Sequence, residues 1–77
     1  MIIKVEKNGC TPCKMVGQLL DASEKDYVTE NIDENPEIIN KYDIMSVPTV
    51  IKFDSEGNEV SRVVGFNPEK LELLKGE

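Results

Sequence analysis

Short β-branched runs alternate along this chain with stretches whose apolar residues recur at helical spacing, and that alternation predicts the elements in order. Ile2-Ile3-Lys4-Val5-Glu6 is compact and β-branched and ends at the turn residues Asn8-Gly9, so it reads as a strand. After Cys10, Thr11 and Pro12 mark a helix start, because proline is pre-organised for the first turn and needs no amide donor there. Met15, Val16, Leu19 and Leu20 form one side of that helix, with Lys14, Gln18 and Asp21 on the other, and the pattern runs to about Ala22. Lys25 to Ile32 reads as a second strand, and the strand–helix–strand order favours parallel pairing through a right-handed crossover.

Asn35-Pro36 predicts a second, short helix by its capping side chain and following proline, with Ile38, Ile39 and Tyr42 as its apolar face. Thr49–Phe53 and Glu59–Val64 are strands joined by the turn formers of Asp54-Ser55-Glu56-Gly57-Asn58, which makes a hairpin. Asn67-Pro68 repeats the cap-plus-proline signal, and Leu71, Leu73 and Leu74 give the last helix an apolar side. The order β-α-β-α-β-β-α predicts an α/β fold in which three helices flank a four-stranded mixed sheet. With 77 residues, no repeat and no linker, residues 1–77 are expected to be one domain.

Composition narrows the function. A net charge of −6, with no histidine and no Lys/Arg stripe, argues against nucleic-acid partners. The apolar runs are far short of a membrane span, and the start lacks the basic region and apolar core of a secretory signal. A cytoplasmic protein is expected.

Cys10 and Cys13 change the picture most. Two cysteines three residues apart close only a tiny loop, so their purpose is more chemical than structural. Placed across a helix N-terminus, such a pair can reach the ~4.4–6.8 Å Cα separation that a disulfide requires. Unpaired N–H groups and the positive helix end there stabilise a thiolate. Lowering a thiol pKa from ~8.5 to ~7 raises the thiolate fraction at neutral pH from about 3% to about half. Cys10, at the lip of the turn, is expected to be the exposed attacking sulfur; Cys13, facing the core, is expected to resolve the mixed disulfide. Three other readings compete: half of a zinc site, which lacks further Cys or His ligands; two inert reduced cysteines; and an iron–sulfur cluster shared across a dimer.

Cys10-Thr11-Pro12-Cys13-Lys14-Met15 resembles the active-site stretch of thioredoxins, Cys-Gly-Pro-Cys followed by Lys. Asn31-Ile32-Asp33-Glu34-Asn35-Pro36, Lys41-Tyr42-Asp43-Ile44 and Val47-Pro48-Thr49 extend that resemblance over nearly the whole chain. It implies a minimal thioredoxin fold with a cis peptide before Pro48, beside the cysteines. It further implies a substrate site made by Thr11, Pro12, the Val47 backbone, Pro48 and Gly65, the last allowing a substrate backbone to approach closely. The implied activity is reduction of protein disulfides by a monomer without bound cofactor. Its reducing equivalents would come from an NADPH-dependent flavoprotein such as thioredoxin reductase, and ribonucleotide reductase is one client. Glutaredoxin is the second resemblance, in length, but the chain has Thr11-Pro12 in place of Pro-Tyr and lacks the Gly-Gly-x-Asp helix start that holds glutathione. A thioredoxin-fold binding subunit with dispensable cysteines is a third reading, from another functional class. Lys4 stands where thioredoxins have a buried aspartate that assists proton transfer to the resolving cysteine. That role would pass to water, Lys4 or Glu6, although Lys4 and Glu6 are expected to be solvated strand-edge residues.

Overall fold

The computed structural model describes residues 1–76. Its elements are β1 (Ile2–Glu6), α1 (Thr11–Ala22), β2 (Val28–Asn31), α2 (Glu37–Lys41), β3 (Thr49–Phe53), β4 (Glu59–Val64) and α3 (Pro68–Gly76). The sheet order is β2-β1-β3-β4. β1 runs parallel to β2 and antiparallel to β3, and β3 and β4 form the antiparallel hairpin. This is the expected mixed four-stranded sheet.

Because side chains alternate across a strand, β1 feeds two cores. Ile2 joins Val16, Leu20, Val50, Val63, Leu71 and Leu74 on the face covered by α1 and α3. Ile3 and Val5 join Ile38, Ile44 and Ile51 on the face covered by α2. Central position explains the first correction to the sequence reading. Lys4 is not a solvated edge residue: β1 has neighbours on both sides, and Lys4 is only 7% exposed, its ammonium 2.8 Å from Glu6 Oε1.

Other differences have local causes. β2 begins at Val28, because only from there does the chain pair with β1; Tyr27 instead donates its hydroxyl hydrogen bond to Asp21 at 2.6 Å. α2 begins at Glu37, with Pro36 in the cap position, where it has no side-chain hydrogen bond to offer. Asn35 contributes its carbonyl, which accepts from the Ile38 N–H at 3.1 Å. Asn67 does cap α3 as expected, its Oδ1 accepting from the Lys70 N–H at 3.1 Å. Met15, Ile39 and Leu73 belong to apolar patterns yet are exposed, because each covered face is narrower than the pattern suggests.

One anchor ties the second helix to the sheet. Arg62 on β4 is held by both carboxylate oxygens of Glu59 and donates to the carbonyls of Tyr42 and Asp43, tying the end of α2 to the sheet. The Arg62 hydrogen bonds hold the Glu59 carboxyl below its usual range. Among the described residues, no helix is long and apolar enough to cross a membrane.

Leu20→Ala, which empties a fully buried site between α1 and the sheet, is expected to cost about 2–5 kcal/mol in urea denaturation. Asn67→Ala should cost about 1 kcal/mol through loss of the α3 cap, and Asn67→Gly less; equal stability of the two variants would count against the cap.

Candidate active site

The turn from β1 into α1 is pinned before it reaches the cysteines. Asn8 donates its N–H to Asp33 at 2.8 Å and accepts at its side-chain oxygen from the Asn31 amide at 2.9 Å, which fastens the turn to the end of β2. Gly9 follows with φ +69°, a conformation that a Cβ disfavours. The chain then enters α1 with Cys10 as its N-cap.

Cys10 caps with sulfur. Its Sγ accepts from the Cys13 N–H at 3.2 Å, and its carbonyl accepts from the Lys14 N–H at 3.2 Å to begin the helical ladder. Thr11 and Pro12 are exposed on the first turn between the cysteines. Cys10 and Cys13 are joined in a disulfide with Cα atoms 5.2 Å apart. Three residues of ideal α-helix already separate two Cα atoms by ~5 Å, from a ~2.3 Å radius and ~1.5 Å rise. The backbone geometry of the turn is therefore the geometry the bond needs. With their sulfurs bonded to each other, neither cysteine offers a free thiolate to a metal in this state.

Cys10 is less open than expected. It is 6% exposed and Cys13 2%, so the predicted order holds but the attacking sulfur does not project into solvent. Bonding to Cys13 folds it against the helix cap. Access runs through a crevice of about 200 Å³ walled by Glu6, Lys7, Asn8, Gly9 and Lys14. The first turn of α1 carries no acidic residue, so no carboxylate there opposes a thiolate, while Lys7 and Lys14 add cationic groups.

Val47, Pro48 and Gly65 form a second cluster. The Val47–Pro48 peptide is cis, as the resemblance implied. The Pro48 carbonyl accepts from the Gly65 N–H at 2.8 Å, and the Thr49 hydroxyl donates to the Ser46 carbonyl at 2.7 Å. Pairing of β3 with its neighbours ends at Thr49, so the Val47 backbone lies beyond the sheet's own ladder. Gly65 has φ +80° and open space where a Cβ would stand, so its glycine serves the backbone turn and leaves room outside it. Val47 also lines an apolar groove of about 520 Å³ with Ile32, Ile39, Ile44 and Met45. Lys7 borders both this groove and the disulfide crevice, which makes the two neighbours.

Sequence reasoning passed over Lys7 and Met45, placed Ile39 only on the apolar face of α2, and named Glu6 as one stand-in for the proton-transfer role while expecting it to be solvated. The available signal was the spacing of Lys4 and Glu6, opposite charges two apart on one face of a strand that also buries Ile2, Ile3 and Val5.

Comparison with known proteins agrees with this geometry. The family model described as a thioredoxin domain matches residues 1–75. The SPbeta prophage-derived thioredoxin-like protein YosR of Bacillus subtilis is 40% identical over 75 residues, covering 96% of this chain and 94% of that protein. A thioredoxin of Staphylococcus aureus is 40% identical over 67 residues; the match covers 79% of this chain and 64% of that longer protein. The reduced Schistosoma mansoni thioredoxin pre-protein superposes with a TM-score of 0.82 at 28% identity, over 95% of this chain and 72% of its own. Cys10 and Cys13 thus sit, as a disulfide at a helix cap, in a fold whose relatives carry the thioredoxin name from end to end of the match, and the chain belongs to the thioredoxin family.

Proposed function

We propose that the protein reduces disulfide bonds in other proteins, cycling between the Cys10–Cys13 disulfide and the dithiol. The observation that carries this reading is the Cys13 N–H directed at Cys10 Sγ at the cap of α1. In the reduced state the same donor, the helix end and the nearby Lys7 and Lys14 favour a Cys10 thiolate. That thiolate attacks one sulfur of the substrate disulfide, and the other substrate sulfur leaves with the bonding electron pair. Cys13 then attacks Cys10 Sγ, the Cys10–substrate bond breaks, and the second substrate thiol is released.

The substrate chain would lie along the Val47 backbone beside Pro48, whose edge is free of sheet pairing, with the open space at Gly65 receiving its backbone. Exposed Thr11 and Pro12 would form the rim on the helix side. The proposed electron source is a flavoprotein of the thioredoxin reductase type using NADPH, and disulfide-bearing proteins such as ribonucleotide reductase are the proposed clients, met by a monomer in the cytosol. Missing glutathione contacts at the helix start, Asn67-Pro68 after a single Gly65, favour protein substrates over the tripeptide.

Insulin reduction should occur with dithiothreitol as donor and fall to the uncatalysed background in Cys10→Ser; an active Cys10→Ser protein would remove the assigned nucleophile. Cys13→Ser should instead trap a mixed disulfide at Cys10, visible as added mass on the intact protein. With biological donors, NADPH plus thioredoxin reductase should recycle the oxidised protein, and faster recycling by glutathione would make it a glutaredoxin in function.

A further inference from the structure

The apolar groove and the disulfide crevice share Lys7, and at that lysine the charge of the molecule reverses. The chain as a whole carries a net charge of −6. Lys7 is nevertheless the one charged residue lining the groove, set against Ile32, Ile39, Met45 and Val47, and it walls the crevice together with Lys14. Both lysines are exposed, and neither has a salt-bridge partner among the described residues. The carboxylates close by are already engaged. Glu6, the acidic residue of the crevice, is paired with Lys4 at 2.8 Å, and Asp33 accepts from the Asn8 N–H at 2.8 Å.

We propose that Lys7 is a specificity-determining residue, which favours client disulfides that carry a carboxylate side chain next to the reacting cysteine and an apolar side chain beyond it. This rests on the disulfide reduction proposed above and names the class of client.

The spacing of an extended chain supplies the argument. Residues two apart in such a chain share a face and stand roughly 7 Å from each other. A client whose cysteine enters the crevice therefore offers the side chain two positions away to the adjoining groove, where Ile39 and Met45 leave apolar surface uncovered. The residue between those two passes the wall that the cavities share, and Lys7 stands there. Its ammonium is a point charge on a flexible four-carbon stem, able to follow a carboxylate that no rigid fork would meet. Apolar walls on the groove side strengthen that attraction, because low-dielectric walls focus the field of a charge into the cleft they bound. A lysine or arginine at the same client position would meet Lys7 as a like charge, with Lys14 adding to the repulsion.

Single turnovers of the reduced protein with symmetric peptide disulfides test this. Three peptides differ only in the residues on either side of cysteine, which are Glu, Gln or Lys, with leucine at the next position out. Each rate of protein oxidation, followed by intact mass, is divided by the rate at which dithiothreitol reduces the same peptide, which removes differences in the peptides' own reactivity. The native protein should favour the Glu peptide over the Gln peptide by about 5-fold and disfavour the Lys peptide. In 1 M NaCl, where the screening length is only ~3 Å, the preference should fall to within about 2-fold. Lys7→Gln should lose the preference, Lys7→Arg keep it, and Lys7→Glu turn it toward the Lys peptide. Lys14→Gln, altering a residue that walls the crevice but not the groove, should change all three rates by a common factor.

If Lys7 served only to favour the Cys10 thiolate, Lys7→Gln would slow all three peptides equally and leave the ratios intact. That result overturns the proposal, as does a preference that survives 1 M NaCl or one that disappears with Lys14 instead. A native protein that none of the peptides oxidises would overturn the reductase reading itself, so the two failures are distinguishable.

Discussion

Burial of β1 on both faces is the constraint from which the rest of this small structure follows. With β2 on one side and β3 on the other, and helices above and below, every side chain from Ile2 to Glu6 must be accommodated inside or at the rim. Ile2, Ile3 and Val5 do this by packing. Lys4 cannot, and an unpartnered ammonium there would be strongly destabilising, on the order of 3–5 kcal/mol for a broken buried pair. Its answer is Glu6, two residues on and therefore on the same face. Since β1 leads through a three-residue turn to Cys10, the same strand that carries the charge pair brings Glu6 to the wall of the disulfide crevice.

What was readable in the sequence was whatever carried its own punctuation. β1, β3 and β4 match their expected limits because β-branched runs stop at Asn8-Gly9 and at the Asp54–Asn58 turn, and α1 matches because Pro12 starts it and the apolar spacing fades at Ala22. The cysteine pair, the cis bond before Pro48 and the left-handed Gly65 were legible through the family resemblance, since no periodicity reports a peptide isomer. Burial was not legible in the same way. A spacing pattern says which residues share a face but not how much of that face a neighbour covers, so Met15, Ile39 and Leu73 were assigned inward and lie outward. Lys4 failed in the opposite sense: charge argued for solvent, and the strand's place in the sheet order, which depends on distant pairings such as that of Lys4 with Val50, decided otherwise.

The exposed apolar residues are not scattered. Ile39 and Met45 fall on the wall of the groove that Val47 and Ile32 line, while Arg62 secures the Tyr42 and Asp43 carbonyls just before it. One edge of the groove is thus anchored to the sheet through β4 and the other leaves apolar surface uncovered, an arrangement suited to an extended chain that supplies its own backbone partners to Val47. Lys7 stands at the junction with the disulfide crevice, so the groove and the crevice share a wall.

Enclosure is what makes the proton a problem. A dithiol open to water could exchange its protons freely but would also present its thiolate to any passing disulfide. Joined as a disulfide, Cys10 and Cys13 are 6% and 2% exposed and lie at the crevice rather than on the open surface. The turn geometry lets the bond open and close with little backbone movement, so no large motion is needed to admit water at each cycle. The ion pair beneath α1 meets that enclosure at its rim: Lys4 is buried, while Glu6 keeps part of its hydration where it lines the crevice, so the desolvation cost falls mainly on the lysine.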